Sequence, residues 1–112
     1  MTVQIEHVDA IDDLDAILSV EGLDSIAMGP YDLSASMGKL GQLSHPEVRS
    51  AIQSVIERAH KAGLFVGYGT DANAERAAEA ARMGADWIQC GSDFGYIIRA
   101  AEQLFAEIRQ RL

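Results

Sequence analysis

The chain has 112 residues, 48% of them hydrophobic, with one cysteine and a formal net charge of −8. That length makes one domain, residues 1–112, able to bury a real core. The acidic balance excludes nucleic acid, whose phosphates would be repelled, and is compatible with cation binding. The lone Cys90 excludes an intramolecular disulfide and fits a reducing cytoplasm. No apolar run approaches the roughly 20 residues of a membrane helix. The first ten residues have neither the basic nor the apolar stretch of a secretory signal, so a soluble protein is expected.

In chain order, short apolar runs occur at Val3–Ile5, Ser25–Met28, Leu64–Tyr68 and Trp87–Cys90. They are nearly continuous rather than alternating, as in parallel strands buried on both faces. Stretches with helical spacing follow each of them. Ile11, Leu14 and Leu18 form a first stripe, and Val48, Ile52, Val55, Ile56 and Ala59 a second. Ala74, Ala77, Ala78 and Ala81 form a third, small enough for a helix to lie close on a sheet, and Ile97, Ala101, Leu104 and Ile108 a fourth. Gly22, Gly63 and Gly84 stand where left-handed helix ends favour glycine. Ser44-His45-Pro46-Glu47 reads as a capping box before the long second helix. Strand–helix alternation of this kind predicts an α/β fold with parallel strands. Four such units make either a small flavodoxin-like sheet or half of an eight-stranded barrel, and the pattern alone leaves both open.

In either architecture ligands meet the C-terminal ends of the strands. That rule narrows the candidates to Glu6 and His7, Gly29 to Asp32, Gly69 to Asp71, and Gly91 to Asp93. Asp71 and Asp93 stand equally where helix caps would. Glu6 ends the first strand several residues before a helix, and Gln4, two residues earlier, faces the same way. Asp32 follows the second strand within Met28-Gly29-Pro30-Tyr31-Asp32-Leu33-Ser34. Neighbouring strands lie about 4.8 Å apart, so carboxylates on adjacent strand ends can share one ion. Two carboxylates leave an octahedral cation open to water and a chelating substrate, which suits magnesium or manganese. The plainer reading makes Glu6 a loop residue and Asp32 a helix cap.

Pro30 favours a helix start, and Gly29 before it permits close backbone approach. The exposed amides at Tyr31 and Asp32 would form an anion site beside the metal. Such a pairing suits a 2-oxo acid chelating through its carboxylate and keto oxygens. His7 is a candidate proton carrier or simply a polar loop residue, and His45 and His60 receive no role. Trp87, Cys90 and the methionines read as core. The arginines all fall on helical stretches, with none at a strand end.

Gln4-Ile5-Glu6, Leu14-Asp15-Ala16-Ile17, Val20-Glu21-Gly22, Gly29-Pro30-Tyr31-Asp32-Leu33-Ser34-Ala35-Ser36-Met37-Gly38 and His45-Pro46-Glu47-Val48 together resemble the HpcH/HpaI aldolase family. The likeness continues through Ala62-Gly63 and Met83-Gly84-Ala85 to Gly91-Ser92-Asp93. Members include 4-hydroxy-2-oxoheptanedioate and 2-dehydro-3-deoxyglucarate aldolases. The resemblance implies a class II aldolase that uses Mg²⁺, Mn²⁺ or Co²⁺ to cleave 4-hydroxy-2-oxo acids into pyruvate and an aldehyde. It implies that Glu6 and Asp32 hold the metal, that Gly29 and Tyr31 offer amides to the pyruvate carboxylate, and that Gln4 lies beside the substrate. The metal would polarise the keto oxygen and stabilise the enolate. Tyr31 departs from the small residue usual there and would narrow the aldehyde side of the pocket.

Family members run to roughly 250 residues in a full (β/α)₈ barrel. This chain aligns with the half that begins at the fifth strand. By the same resemblance the other half carries a substrate-binding arginine and a proton-transferring histidine, so weak or no activity is expected of the four units alone. Open sheet edges and a bare apolar face predict pairing, either of identical copies or with a complementing N-terminal half barrel. The alternatives are a non-catalytic receiver-like α/β module and a related lyase acting on acyl-CoA esters.

Overall fold

The computed structural model describes residues 1–112. Its elements are β1 (Thr2–Ile5), α1 (Val8–Asp12), α2 (Leu14–Leu18), β2 (Ser25–Met28), α3 (Pro30–Ser36), α4 (Pro46–Lys61), β3 (Phe65–Thr70), α5 (Ala74–Met83), β4 (Trp87–Cys90) and α6 (Asp93–Arg111). All four strands are parallel and stand in the order β1-β2-β3-β4. A doubly wound sheet reverses direction at a switch point, whereas a barrel adds each new strand beside the last. The observed order is therefore the arc of a TIM-type barrel and excludes the receiver-like arrangement.

Side-chain alternation sorts the strands into two faces. Ile5, Ile26, Met28, Val66 and Tyr68 point to the helices and join Leu14, Leu18, Leu33, Val48, Ile52, Val55, Ile56, Ala59 and Ala80 in one buried cluster. α4 carries much of this core: all five residues of its predicted stripe are buried. Gln4, Phe65, Trp87 and Gln89 are exposed on the opposite face, the one that would line a closed barrel. There the Trp87 ring lies so close over Gly67 that any Cβ would overlap it, and its Nε1–H donates to Ser25 Oγ at 3.1 Å. Trp87 is therefore 42% exposed rather than a core residue.

Several local expectations are corrected. The first helical stretch breaks at Asp13 into two short helices, with Leu14 and Leu18 buried beneath the second. His45, not Ser44, caps α4, its Nδ1 accepting from the Glu47 amide at 3.2 Å. Asn73, not Asp71, caps α5, accepting from the amides of Glu75 and Arg76. In that helix Ala80 is the buried alanine, whereas Ala74, Ala78 and Ala81 are exposed, because the helix leans on β3 and β4 through the face shared by Ala80 and Met83. Gly22, Gly63 and Gly84 do adopt positive φ.

α6 differs most from expectation. Its 19 residues form the helix the spacing predicts, yet none is buried. Ile97, Leu104 and Ile108 face solvent, and the molecule is drawn out to 60 × 30 × 21 Å. Only the helix start is held, by Tyr96 donating to the Cys90 carbonyl at 2.7 Å and Arg99 donating to that of Ala72. Cys90, at the open edge of β4 and uncovered by α6, is exposed rather than buried. No helix is long and apolar enough to cross a membrane.

Asp86 anchors β4 to β3. Its Oδ2 accepts from the Val66 amide at 2.7 Å and contacts His60 Nε2 at 2.9 Å, while its own amide donates to Val66 O. The Val66 amide first, and His60 second, hold the Asp86 carboxyl below its ordinary value. A depressed folded pKa contributes stability above the unfolded value and loses it as pH falls through the folded one. Asp86→Asn should therefore lower the melting temperature at pH 7. The difference from wild type should shrink below about pH 4, as followed by circular dichroism melts.

Candidate functional site

The C-terminal strand ends form one rim of the arc, and α3 and α5 begin on it. A cavity of about 230 Å³ opens there toward the barrel-facing side, lined among others by Gln4, Gly29, Pro30, Tyr31, Asp32, Gly69, Thr70, Trp87 and Gln89. Four of the five residues singled out in the sequence, Gln4, Gly29, Tyr31 and Asp32, thus share one cavity.

Glu6 lies beside it. Gln4 and Glu6 are on the same face of β1 and its extension, and Gln4 Nε2 donates to Glu6 Oε2 at 2.6 Å. Both pack against Gly29. A Cβ built on Gly29 would stand 2.7 Å from Gln4 Nε2, 2.8 Å from Glu6 Cβ and 3.0 Å from Glu6 Oε2. Glycine is required here for close approach, not for a left-handed backbone, since its φ is −101°. Gly29 also spends its amide on the Ile5 carbonyl at 3.0 Å, so that N–H is not free for a ligand. The free amides of the α3 first turn are those of Tyr31 and Asp32, since Pro30 has none and the Leu33 amide bonds Gly29 O.

Glu6 and Asp32 are exposed, and neither forms an ion pair with a Lys, Arg or His of the chain. No group of three or more His, Cys, Asp or Glu side chains gathers anywhere. Glu6 and Asp32 are thus two hard oxygen donors that no cationic side chain of the protein neutralises. That set suits an octahedral ion completed by water and substrate, not a closed structural site. His7 caps α1, its Nδ1 accepting from the Asp9 amide at 3.3 Å.

Arg76 is the rim residue that the sequence did not single out. It lies on a helix, as read, but in the first turn of α5, and helix starts share the rim with strand ends. Its Nη1 donates to the Tyr31 hydroxyl and, at 3.2 Å, to Asp71, with the guanidinium 5.9 Å from the Tyr31 ring centroid. Tyr31 and Asp71 raise the Arg76 pKa further, so its charge is permanent. Gln89, also unremarked in the sequence, completes the floor and donates to Gly91 O at 3.0 Å. Only the register Gly69↔Gln89 could have revealed it.

A parallel barrel arc with its cavity at the C-terminal strand ends is the framework of the (β/α)₈ enzymes. Residues 1–100 match the family described as HpcH/HpaI aldolase/citrate lyase, and the chain belongs to that family. A 5-keto-4-deoxy-D-glucarate aldolase of Escherichia coli O6:H1 (strain CFT073) is 43% identical over 107 residues, 94% of this chain and 40% of that protein. An HpcH/HpaI aldolase from Desulfitobacterium hafniense DCB-2 superposes with a TM-score of 0.86 at 33% identity, covering 96% of this chain and 42% of that one. An HpcH/HpaI aldolase/citrate lyase family protein from Burkholderia cenocepacia J2315 gives 0.88 at 31% identity, covering 96% and 42%. The chain thus spans about two fifths of the length of the relatives it matches.

Gly29→Ala should push Gln4 and Glu6 apart. The side-chain amide resonances of Gln4 should then move to solvent-exposed positions in ¹H–¹⁵N spectra, while Val55 and Ile56, on the far side of the sheet, keep their wild-type shifts.

Proposed function

We propose that this chain supplies the metal-and-carboxylate half of a class II pyruvate aldolase site, acting on 4-hydroxy-2-oxo acids. The observation that carries the reading is the packing of Gln4 and Glu6 against a glycine that tolerates no side chain, on the same rim as Asp32. Glu6 and Asp32 would hold Mg²⁺, Mn²⁺ or Co²⁺, and their oxygen donors and lack of ion-pair partners favour it. When bound, such a cation supplies Lewis-acid polarisation of a 2-oxo acid's keto oxygen.

The chain's own groups supply orientation. Gln4 fixes one Glu6 oxygen by its 2.6 Å bond, leaving the other to turn outward, an outer-shell role typical of metal carboxylates. The unpaired first-turn amides of Tyr31 and Asp32 would receive a substrate carboxylate, because free N–H groups at a helix start favour negative charge. Gly29 contributes by having no side chain rather than by its amide. The Tyr31 ring, held by Arg76, narrows the side on which the aldehyde portion would leave. His7, spent on its helix cap, is not assigned the proton transfer.

The bare barrel-facing side, with Phe65 63% and Trp87 42% exposed, supports association. Either a second copy or a complementing half barrel would cover it. The single, exposed cysteine fits a cytoplasmic location, where thiols stay reduced.

The test is a Mn²⁺ titration of wild type and Glu6→Gln, with and without oxalate, read by water proton relaxation. Wild type should bind Mn²⁺, and oxalate should tighten it. Glu6→Gln should weaken binding at least about tenfold, the loss typical even of an outer-shell change. Equal Mn²⁺ affinity in the two proteins would remove Glu6 from the site.

A further inference from the structure

A second cavity, of about 180 Å³, lies on the other face of the sheet between α4, β3 and α5. Ser44, Arg49, Tyr68, Thr70, Arg76 and Glu79 supply its polar lining, and Ile52, Ala80 and Met83 part of its apolar wall. Alternation along β3 turns Tyr68 to the helices and Gly67 and Gly69 to the barrel side, and the two cavities meet at the strand end, where Thr70 lines both.

Tyr68 is the unusual member. The residue is 8% exposed and lines the cavity; its hydroxyl bonds no group of the protein and is open to water, since no enclosed side-chain oxygen or nitrogen lacks a partner. Two guanidinium groups share the cavity with donors to spare. Arg49 uses Nη1 for Glu79, and Arg76 uses Nη1 for Tyr31 and Asp71. The Nε and Nη2 donors of both remain uncommitted, and these are the edges that grip planar or tetrahedral oxyanions.

We propose that this cavity is a binding site for a small oxyanion, a carboxylate or a phosphate group, gripped by Arg49 and Arg76 with the unbonded Tyr68 hydroxyl as a third donor. A phenol is a protonated donor at neutral pH, and burial first, then Glu79, shift the Tyr68 pKa further upward. Glu79, paired to Arg49, sets that guanidinium in place. The apolar wall of Ile52, Ala80 and Met83 would accept the carbon skeleton of an organic anion. This site meets the rim through Arg76, which also holds Tyr31, but it uses neither Glu6 nor Asp32 and so does not rest on the metal reading.

The experiment titrates the 112-residue chain with tartrate, with inorganic phosphate and with neutral erythritol, in EDTA so that no metal at the rim reports. The signal is the ¹H–¹³C ring resonance of Tyr68. A saturable shift with tartrate alone assigns a carboxylate, with phosphate alone a phosphate group, and either supports the site. Tyr68→Phe, which keeps the ring and the fold, should weaken binding about fivefold, the worth of one net hydrogen bond, read from amide shifts in β3. Arg49→Gln should weaken it about tenfold or more, as expected for a charge-assisted pair. Absence of saturation by either anion, a response to erythritol equal to that of tartrate, or wild-type affinity in both variants would overturn the proposal.

Discussion

The parallel ladder between β1 and β2 continues one step past the strands, where the Gly29 amide donates to the Ile5 carbonyl at 3.0 Å. That bond brings the backbone of Gly29 against the side chains that leave β1 at Gln4 and Glu6. From the same point Pro30 starts α3, so Asp32 and the free amides of Tyr31 and Asp32 are delivered to the rim within three residues. The candidate site depends on this one contact. Two strand ends must lie at ladder distance, and the second must have no Cβ.

Alternation then divides the labour of each strand. On β3, Val66 and Tyr68 anchor the sheet to α4, while Gly67 and Gly69 clear the barrel side for Trp87 and Gln89. The helix-facing half explains why the unit holds together, since its clustered Ile, Leu and Val side chains each contribute about 1.5–3 kcal/mol on burial. The barrel-facing half explains what is left unsatisfied. A (β/α)₈ barrel covers that face with its other strands, and here Phe65 and Trp87 meet solvent instead. The open edge at β4 leaves α6 with an apolar stripe of regular spacing and nothing under it.

The rim also shows how a helix can supply a strand-end function. Arg76 reaches Tyr31 from the first turn of α5, held by Asp71 in the loop after β3. The Tyr31 ring that flanks the rim cavity is therefore fixed by a charge on the neighbouring unit. A substitution at Arg76 would be felt at the site without touching either carboxylate.

Much of this was legible in the sequence. Continuous apolar runs located all four strands, and helical spacing located the long helices, because burial imposes those periods whatever surrounds them. The Gly29-Pro30-Tyr31-Asp32 block and the Gln4-Ile5-Glu6 strand end marked the rim, because those residue types answer local backbone demands. Tertiary structure alone decided the rest. Periodicity is blind to strand order, so β1-β2-β3-β4 over a doubly wound sheet had to be seen. Cys90, Trp87 and the α6 stripe read as core from hydrophobicity, but burial needs a covering surface, and residues 1–112 cover Trp87 on one face only and leave Cys90 and the α6 stripe exposed. Arg76 and the Tyr68 cavity join residues far apart in the chain. No local pattern encodes such a meeting; it follows only from how neighbouring strand–helix units pack.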